Sequence, residues 1–203
     1  MLTDQTIADA KTYVAAFFAG DASGHDAHHT LRVWRTAVRL AADEGADQRV
    51  VALAALLHDV DDHKLSPKTA ATQGNARAFL AARDVSEQEA EAVLTAIREV
   101  SFSQNRDAAP SSTESACVRD ADRLDAIGAI GVARAFAFGG SHGRPLHDPN
   151  GTDAQTTTAH FSDKLLRLKD MMCTDAGRKV AEHRDAFTRQ FLDEFLHEWD
   201  GLA

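Results

Sequence analysis

The chain has 203 residues, 44% hydrophobic and 26% charged, with 22 basic against 31 acidic side chains and a net charge of -9. That composition suits a folded globular chain long enough to bury a sizeable core. The acidic balance argues against a broad cationic surface for nucleic acid or anionic membrane, leaving room only for a local basic pocket.

Other global signs agree. Cys117 and Cys173 lie far apart in helical-looking segments, which predicts reduced thiols and a cytoplasmic location. The start of the chain lacks the basic-then-apolar signature of a signal peptide. No stretch approaches the roughly 20 apolar residues of a membrane span.

Helical periodicity runs from end to end and predicts an all-α fold in one domain, 1–203. Ile7, Ala10, Val14, Phe17 and Phe18 form an apolar stripe opened by Thr3 or Asp4 as a cap. Leu31, Trp34, Val38 and Ala41 predict a second helix over about 27–43. From Val50 to Leu57 every residue is apolar, so the third helix is buried on all sides. An Ala-rich fourth helix is expected over about 68–82. Ser86-Glu87-Gln88-Glu89 is a capping box that opens a fifth.

A loop is expected from Gln104 to Ser112. A helix resumes near Thr113 and runs to Phe138, with Gly128 and Gly131 marking either a close backbone approach or a break. Residues 139–153 read as a long irregular segment, the kind that forms lids. Two amphipathic helices close the chain, one striped by Phe161, Leu165, Leu168 and Met172, the other by Phe187, Phe191, Phe195 and Trp199.

Chemistry concentrates where the buried third helix ends, at His58-Asp59. Titratable groups beside an apolar helix need partners, because burying them unpaired costs several kcal/mol. A divalent ion is the most economical partner, and imidazole with carboxylate suits Mn, Fe, Co, Ni or Zn. His29 and a carboxylate among Asp120, Asp122 and Asp125 are the other donors on offer. Asp120 and Asp122 sit about 200° apart on a regular helix, so both cannot face one ion.

The order His … His-Asp … Asp resembles the HD superfamily of metal-dependent phosphohydrolases. Three segments carry the resemblance: His25-Asp26-x-x-His29-x-x-Arg32-Val33, Leu57-His58-Asp59-Val60-Asp61-Asp62, and Asp120-Ala121-Asp122-Arg123-Leu124-Asp125. It continues into Phe136–Gly140 and His160-Phe161-x-x-Lys164-Leu165-Leu166, and so covers about residues 20–200. It implies an HD-domain helical bundle, with a motif-bearing core over about 20–138 and C-terminal helices over about 154–200 packing on it. The small bacterial HD hydrolases it points to include nucleoside triphosphate pyrophosphohydrolases.

Carried over by position, the resemblance implies one divalent ion (Mn, Mg, Ni, Co, Fe or Zn) on His29, His58, Asp59 and Asp122. Helix geometry puts Asp125 one turn on, on nearly the same face as Asp122, where it is a candidate to orient a ligand. Asp62 takes the place of a water-activating acid, one methylene shorter than the usual Glu, and Asp59 is the other catalytic carboxylate. Arg32, Lys64, Arg123 and Lys164 are the cations expected to meet a phosphorylated substrate, with His160 and Arg144 closing over it.

The expected reaction is attack of metal-activated water on a small phosphorylated metabolite, foremost a nucleotide, by a monomer or homodimer. Two alternatives are a di-iron oxygenase, for which His25, Asp62 and His63 are the only added donors, and a non-catalytic nucleotide-binding regulatory module. No Gly-rich phosphate loop or nucleophile motif is present, which favours direct water attack. His142, His147, His183 and His197 read as ordinary surface residues.

Overall fold

The computed structural model describes residues 2–20, 26–101, 105 and 108–202; these form helices and their connecting turns, with no strand among them. The all-α expectation therefore holds. The chain divides into two compact units, Met1–Asp122 and Arg123–Ala203.

The first unit is built around an apolar helix. Thr3 opens α1 (Asp4–Phe17), its hydroxyl accepting the Thr6 N–H at 3.1 Å. Asp26 caps α2 (Ala27–Glu44), which ends on Gly45 at φ 70°, a left-handed position that glycine adopts without a steric cost. Asp47 then caps α3 (Gln48–Leu57), and Val50 through Leu57 are all buried. This helix packs against α1, α2 and α5 (Glu87–Val100). Each buried leucine among Leu53, Leu56 and Leu57 contributes about 1.5–3 kcal/mol. The expected capping box of α5 is present, with Ser86 and Glu89 bonding reciprocally.

One predicted helix of this unit is divided. In place of a single run over 68–82, a 3-10 turn at Ala70–Thr72 is followed by α4 (Gly74–Ala81). Gln73 parts them in the left-handed region at φ 53°, ψ 42°, a conformation that costs a non-glycine residue about 1–2 kcal/mol. Its amide offsets that cost by donating from Nε2 to the Leu94 carbonyl at 2.8 Å.

Two side chains set the register of α6 (Thr113–Asp125). Glu114 Oε1 accepts the Asp47 N–H at 3.0 Å. Arg119, 1% exposed, donates from Nε to the Glu99 carbonyl at 2.8 Å and from Nη1 to the Ala108 carbonyl at 2.6 Å.

In the second unit the helix expected to run on to Phe138 breaks at Ala126-Ile127 and restarts as α7 (Gly128–Ser141). Gly128 sits at φ 78° and donates its N–H to Thr188 Oγ1. A Cβ on Gly131 would lie 2.2 Å from the Ala126 carbonyl carbon. One glycine thus serves the break and the other the close approach. Because α7 continues through Ser141, the irregular segment is 142–156 rather than 139–153.

The first closing helix is also interrupted. It becomes α8 (Thr157–Asp163) and two 3-10 turns, Leu165–Arg167 and Lys169–Met171. Arginine side chains capture the backbone carbonyls here: Arg189 on Leu166, Arg123 on Met171 and Arg178 on Met172. The second closing helix, α9 (Asp175–Trp199), is unbroken. Phe191 and Phe195 pack on Phe136 at centroid distances of 5.8 and 5.5 Å. Phe187 and Trp199, expected on the same core stripe, are exposed.

Candidate metal centre

Three helices of the first unit bring the donors together. Asp26 Oδ1 accepts the His29 N–H at 2.7 Å, so the cap of α2 places His29 in its first turn. His58 ends α3 as its C-cap, and Asp59 follows. Asp122 lies one turn beyond Arg119, the arginine that anchors α6. His29, His58 and Asp59 are buried, and one donor atom of each lies within 4.8 Å of the others. His29 Nε2 stands 3.5 Å from Asp59 Oδ2 and 3.4 Å from Asp122 Oδ1. His58 Nε2 stands 3.2 Å from Asp59 Oδ2 and 3.9 Å from Asp122 Oδ1.

The His58 tautomer follows from its surroundings. Nδ1 is 2.8 Å from the Ala55 carbonyl, which only accepts, so the proton of the neutral ring sits on Nδ1 and the Nε2 lone pair faces the carboxylates. Nε2 is buried and makes no hydrogen bond. Two imidazoles and two carboxylates around such an atom, with His29, His58 and Asp59 buried and Asp122 partly exposed, are a donor set that suits a divalent cation. The residues fit the ion that the sequence implies.

The charges are strongly coupled. Burial opposes the cationic form of His58, but the neighbouring Asp59 and Asp122 carboxylates outweigh it and push the imidazole up to about 9. Burial likewise opposes ionisation of Asp122, yet His29 and His58 hold its carboxyl below the usual range. Without an ion, a proton takes the place of the metal charge.

The comparisons with known proteins agree with this geometry. The HD domain model matches residues 26–127, half of the chain. This protein belongs to the HD-domain family. It is 40% identical over 194 residues to the protein YpgQ of Bacillus subtilis (strain 168), covering 95% of this chain and 93% of YpgQ. The crystal structure of YpgQ in complex with ADP matches with a TM-score of 0.82 at 36% identity, covering 97% of this chain and 100% of that one. An HD-superfamily hydrolase from Bacillus thuringiensis matches with a TM-score of 0.80 at 38% identity, covering 97% of both chains. This HD-domain chain is thus a hydrolase of the metal-dependent phosphohydrolase class.

The remaining predicted residues of the HD domain fall in varied settings. Asp120 is fully buried, whereas Asp122 faces both histidines. Asp125 pairs with Arg134 at 2.9 Å. Asp62 is partly exposed and accepts the Lys64 N–H on Oδ1 at 2.8 Å, closing a turn. Its Oδ2 lies 3.5 Å from Nδ1 of the exposed His63. Arg32 is half-buried one turn after His29, and Lys64 is exposed. Arg123 is buried, with Nη1 donating to the Met171 carbonyl. Lys164 is half-buried at the end of α8. Burial, then the charges of Lys164 and Arg144, lower the pKa of His160 and favour its neutral ring beside these two cations of the second unit. His25 lies outside the described residues.

Two residues of the HD segment escaped sequence reasoning. Asp61 and Asn75 clamp the turn that leaves the doublet, through bonds spanning 14 and 15 residues. The only hint in the sequence was a third acid, Asp61, in a motif that already held two.

Proposed function

We propose that this HD hydrolase cleaves a nucleotide, with hydrolysis of a nucleoside triphosphate to the monophosphate and pyrophosphate as the leading reaction. One observation carries the metal dependence: the buried, unbonded Nε2 of His58 beside Asp59 and Asp122. The nucleotide is supported by the ADP complex of the relative YpgQ.

His29, His58, Asp59 and Asp122 would hold a divalent ion, which when bound would lower the pKa of water toward neutrality and polarise a phosphoryl oxygen. The chain's own groups supply the rest. The Ala55 carbonyl holds the His58 ring in the tautomer that presents Nε2. Asp62 keeps Oδ2 as a proton acceptor, since Oδ1 is committed to the Lys64 N–H. Arg32 and Lys64, flanking the motifs on the first unit, offset phosphate charge. Within the second unit, Lys164 is a further candidate contact for phosphate, with Arg144 also near His160. Buried Arg123 acts as a strut through the Met171 carbonyl.

The test is a screen of metal-stripped protein against nucleoside tri-, di- and monophosphates and sugar phosphates. Each is assayed with Mn²⁺, Co²⁺, Ni²⁺ and Mg²⁺, measuring phosphate and pyrophosphate separately. Pyrophosphate released from a triphosphate is the expected product. Release of phosphate alone, or turnover confined to sugar phosphates, would contradict the proposed reaction.

A further inference from the structure

We propose that Asp61 is a positioning residue for the metal centre, holding the Asp59 carboxylate at the two imidazoles by anchoring the turn after it to α4. The inference rests on reading His29, His58, Asp59 and Asp122 as the ion's ligands.

Asp61 is buried although it carries a charge, and both its oxygens are taken by the first turn of α4. Oδ1 accepts the Asn75 N–H at 3.0 Å and Oδ2 accepts the Ala76 N–H at 2.9 Å. A carboxylate on the unsatisfied N–H groups of a helix start is a charge-assisted contact with a fixed direction. Asn75 completes the clamp. Its Nδ2 donates to the Val60 carbonyl at 2.8 Å and reaches Thr69 Oγ1 at 3.1 Å.

The anchor itself is rigid. Ala76, Phe79 and Leu80 are buried, α4 packs on α5, and Gln73 is tied to the Leu94 carbonyl. On the other side the turn is short, with the Val60 N–H on the Leu57 carbonyl at 3.3 Å and the Asp62 N–H on the Asp59 carbonyl at 3.1 Å. Asp59 is therefore held between the end of α3 and a clamp that begins at the next residue. Coordination tolerates only tenths of an ångström, so loosening this clamp acts on the ion and not on stability alone.

The experiment compares Mn²⁺ affinity, by calorimetric titration of chelator-treated and dialysed protein, with urea stability of the same ion-free protein. Wild type is expected to bind Mn²⁺. Asp61→Ala should weaken that binding about ten-fold or more, the range for groups that orient a ligand. Asp61→Asn, which keeps one acceptor oxygen, should fall between the two. Asp47→Ala removes the equivalent cap at the far end of α3, where Asp47 accepts the Arg49 and Val50 N–H groups. It should lower stability with unchanged Mn²⁺ affinity.

If the Asp61 variants lose stability but bind Mn²⁺ like wild type, the positioning role is overturned and the metal centre stands. If wild type itself fails to bind Mn²⁺, the metal centre falls and the positioning role with it. Should Asp61→Ala not fold, Asp61→Asn carries the same comparison.

Discussion

Stripping the ion should make the protein's stability fall as pH rises from about 6.5 to 9. His58 Nε2 lies 3.2 Å from Asp59 Oδ2 and 3.9 Å from Asp122 Oδ1. Burial disfavours the imidazolium, but the two carboxylates outweigh it and raise the ring from 6.5 to about 9. A group whose folded pKa exceeds its unfolded value stabilises the fold fully below the unfolded value, and that contribution fades as pH rises through the folded one. The interval corresponds to on the order of 3 kcal/mol.

The assay is urea unfolding of chelated wild type and His58→Gln at pH 6, 7.5 and 9, where the difference between the two isolates His58 from other titrations. An ion competes with the proton for Nε2. Mn²⁺ affinity should therefore climb about ten-fold per pH unit up to pH 9, with close to one proton released at pH 7. Asp122, held below the usual carboxyl range, is already ionised there and adds none. A wild-type-minus-variant difference that stays flat from pH 6.5 to 9, or metal uptake without proton release, would refute this linkage.

Further outcomes follow from packing. Leu53→Ala, at a fully buried position of α3, should cost about 2–5 kcal/mol in urea unfolding. Gly131→Ala would put a methyl 2.2 Å from the Ala126 carbonyl carbon and should destabilise by about 1–3 kcal/mol despite the better helix propensity of Ala. Gly140→Ala meets no atom within 4 Å and should be neutral or gain up to about 1 kcal/mol. Burial pushes the Cys117 thiol up to about 12, so a maleimide at pH 8 should label it in urea and leave it unlabelled in the native protein. Native labelling of Cys117, read by peptide mass, would show that α6 opens.

The parts of the fold that were legible are those in which local pattern and final packing ask for the same thing. The apolar run Val50–Leu57 had no side for water and became the buried α3; Ser86 and Glu89 announced the start of α5 and close it reciprocally. His29 and the doublet could be paired because their motifs resemble those of the HD family, and the structure brings one donor atom of His29, His58 and Asp59 within 4.8 Å of the others.

What failed to show was set by contacts distant in sequence. The division of the fourth helix depends on Gln73 reaching Leu94, 21 residues on. The interruption after α8 follows arginines that reach carbonyls up to 48 residues away. Arg123 adjoins Asp122 in sequence, but successive helical residues point about 100° apart, and its guanidinium meets the Met171 carbonyl. The Phe187 end of the aromatic stripe shows the limit of periodicity, since an apolar residue in helical register is exposed all the same.

The central claim is that one ion is gripped by His29, His58, Asp59 and Asp122. Anomalous diffraction at the zinc edge, from crystals grown with Zn²⁺, tests it most directly. The account predicts a single strong peak about 2.0–2.2 Å from both Nε2 atoms and from an oxygen of each carboxylate. A peak elsewhere with these four side chains unligated, or none at saturating Zn²⁺, would contradict it.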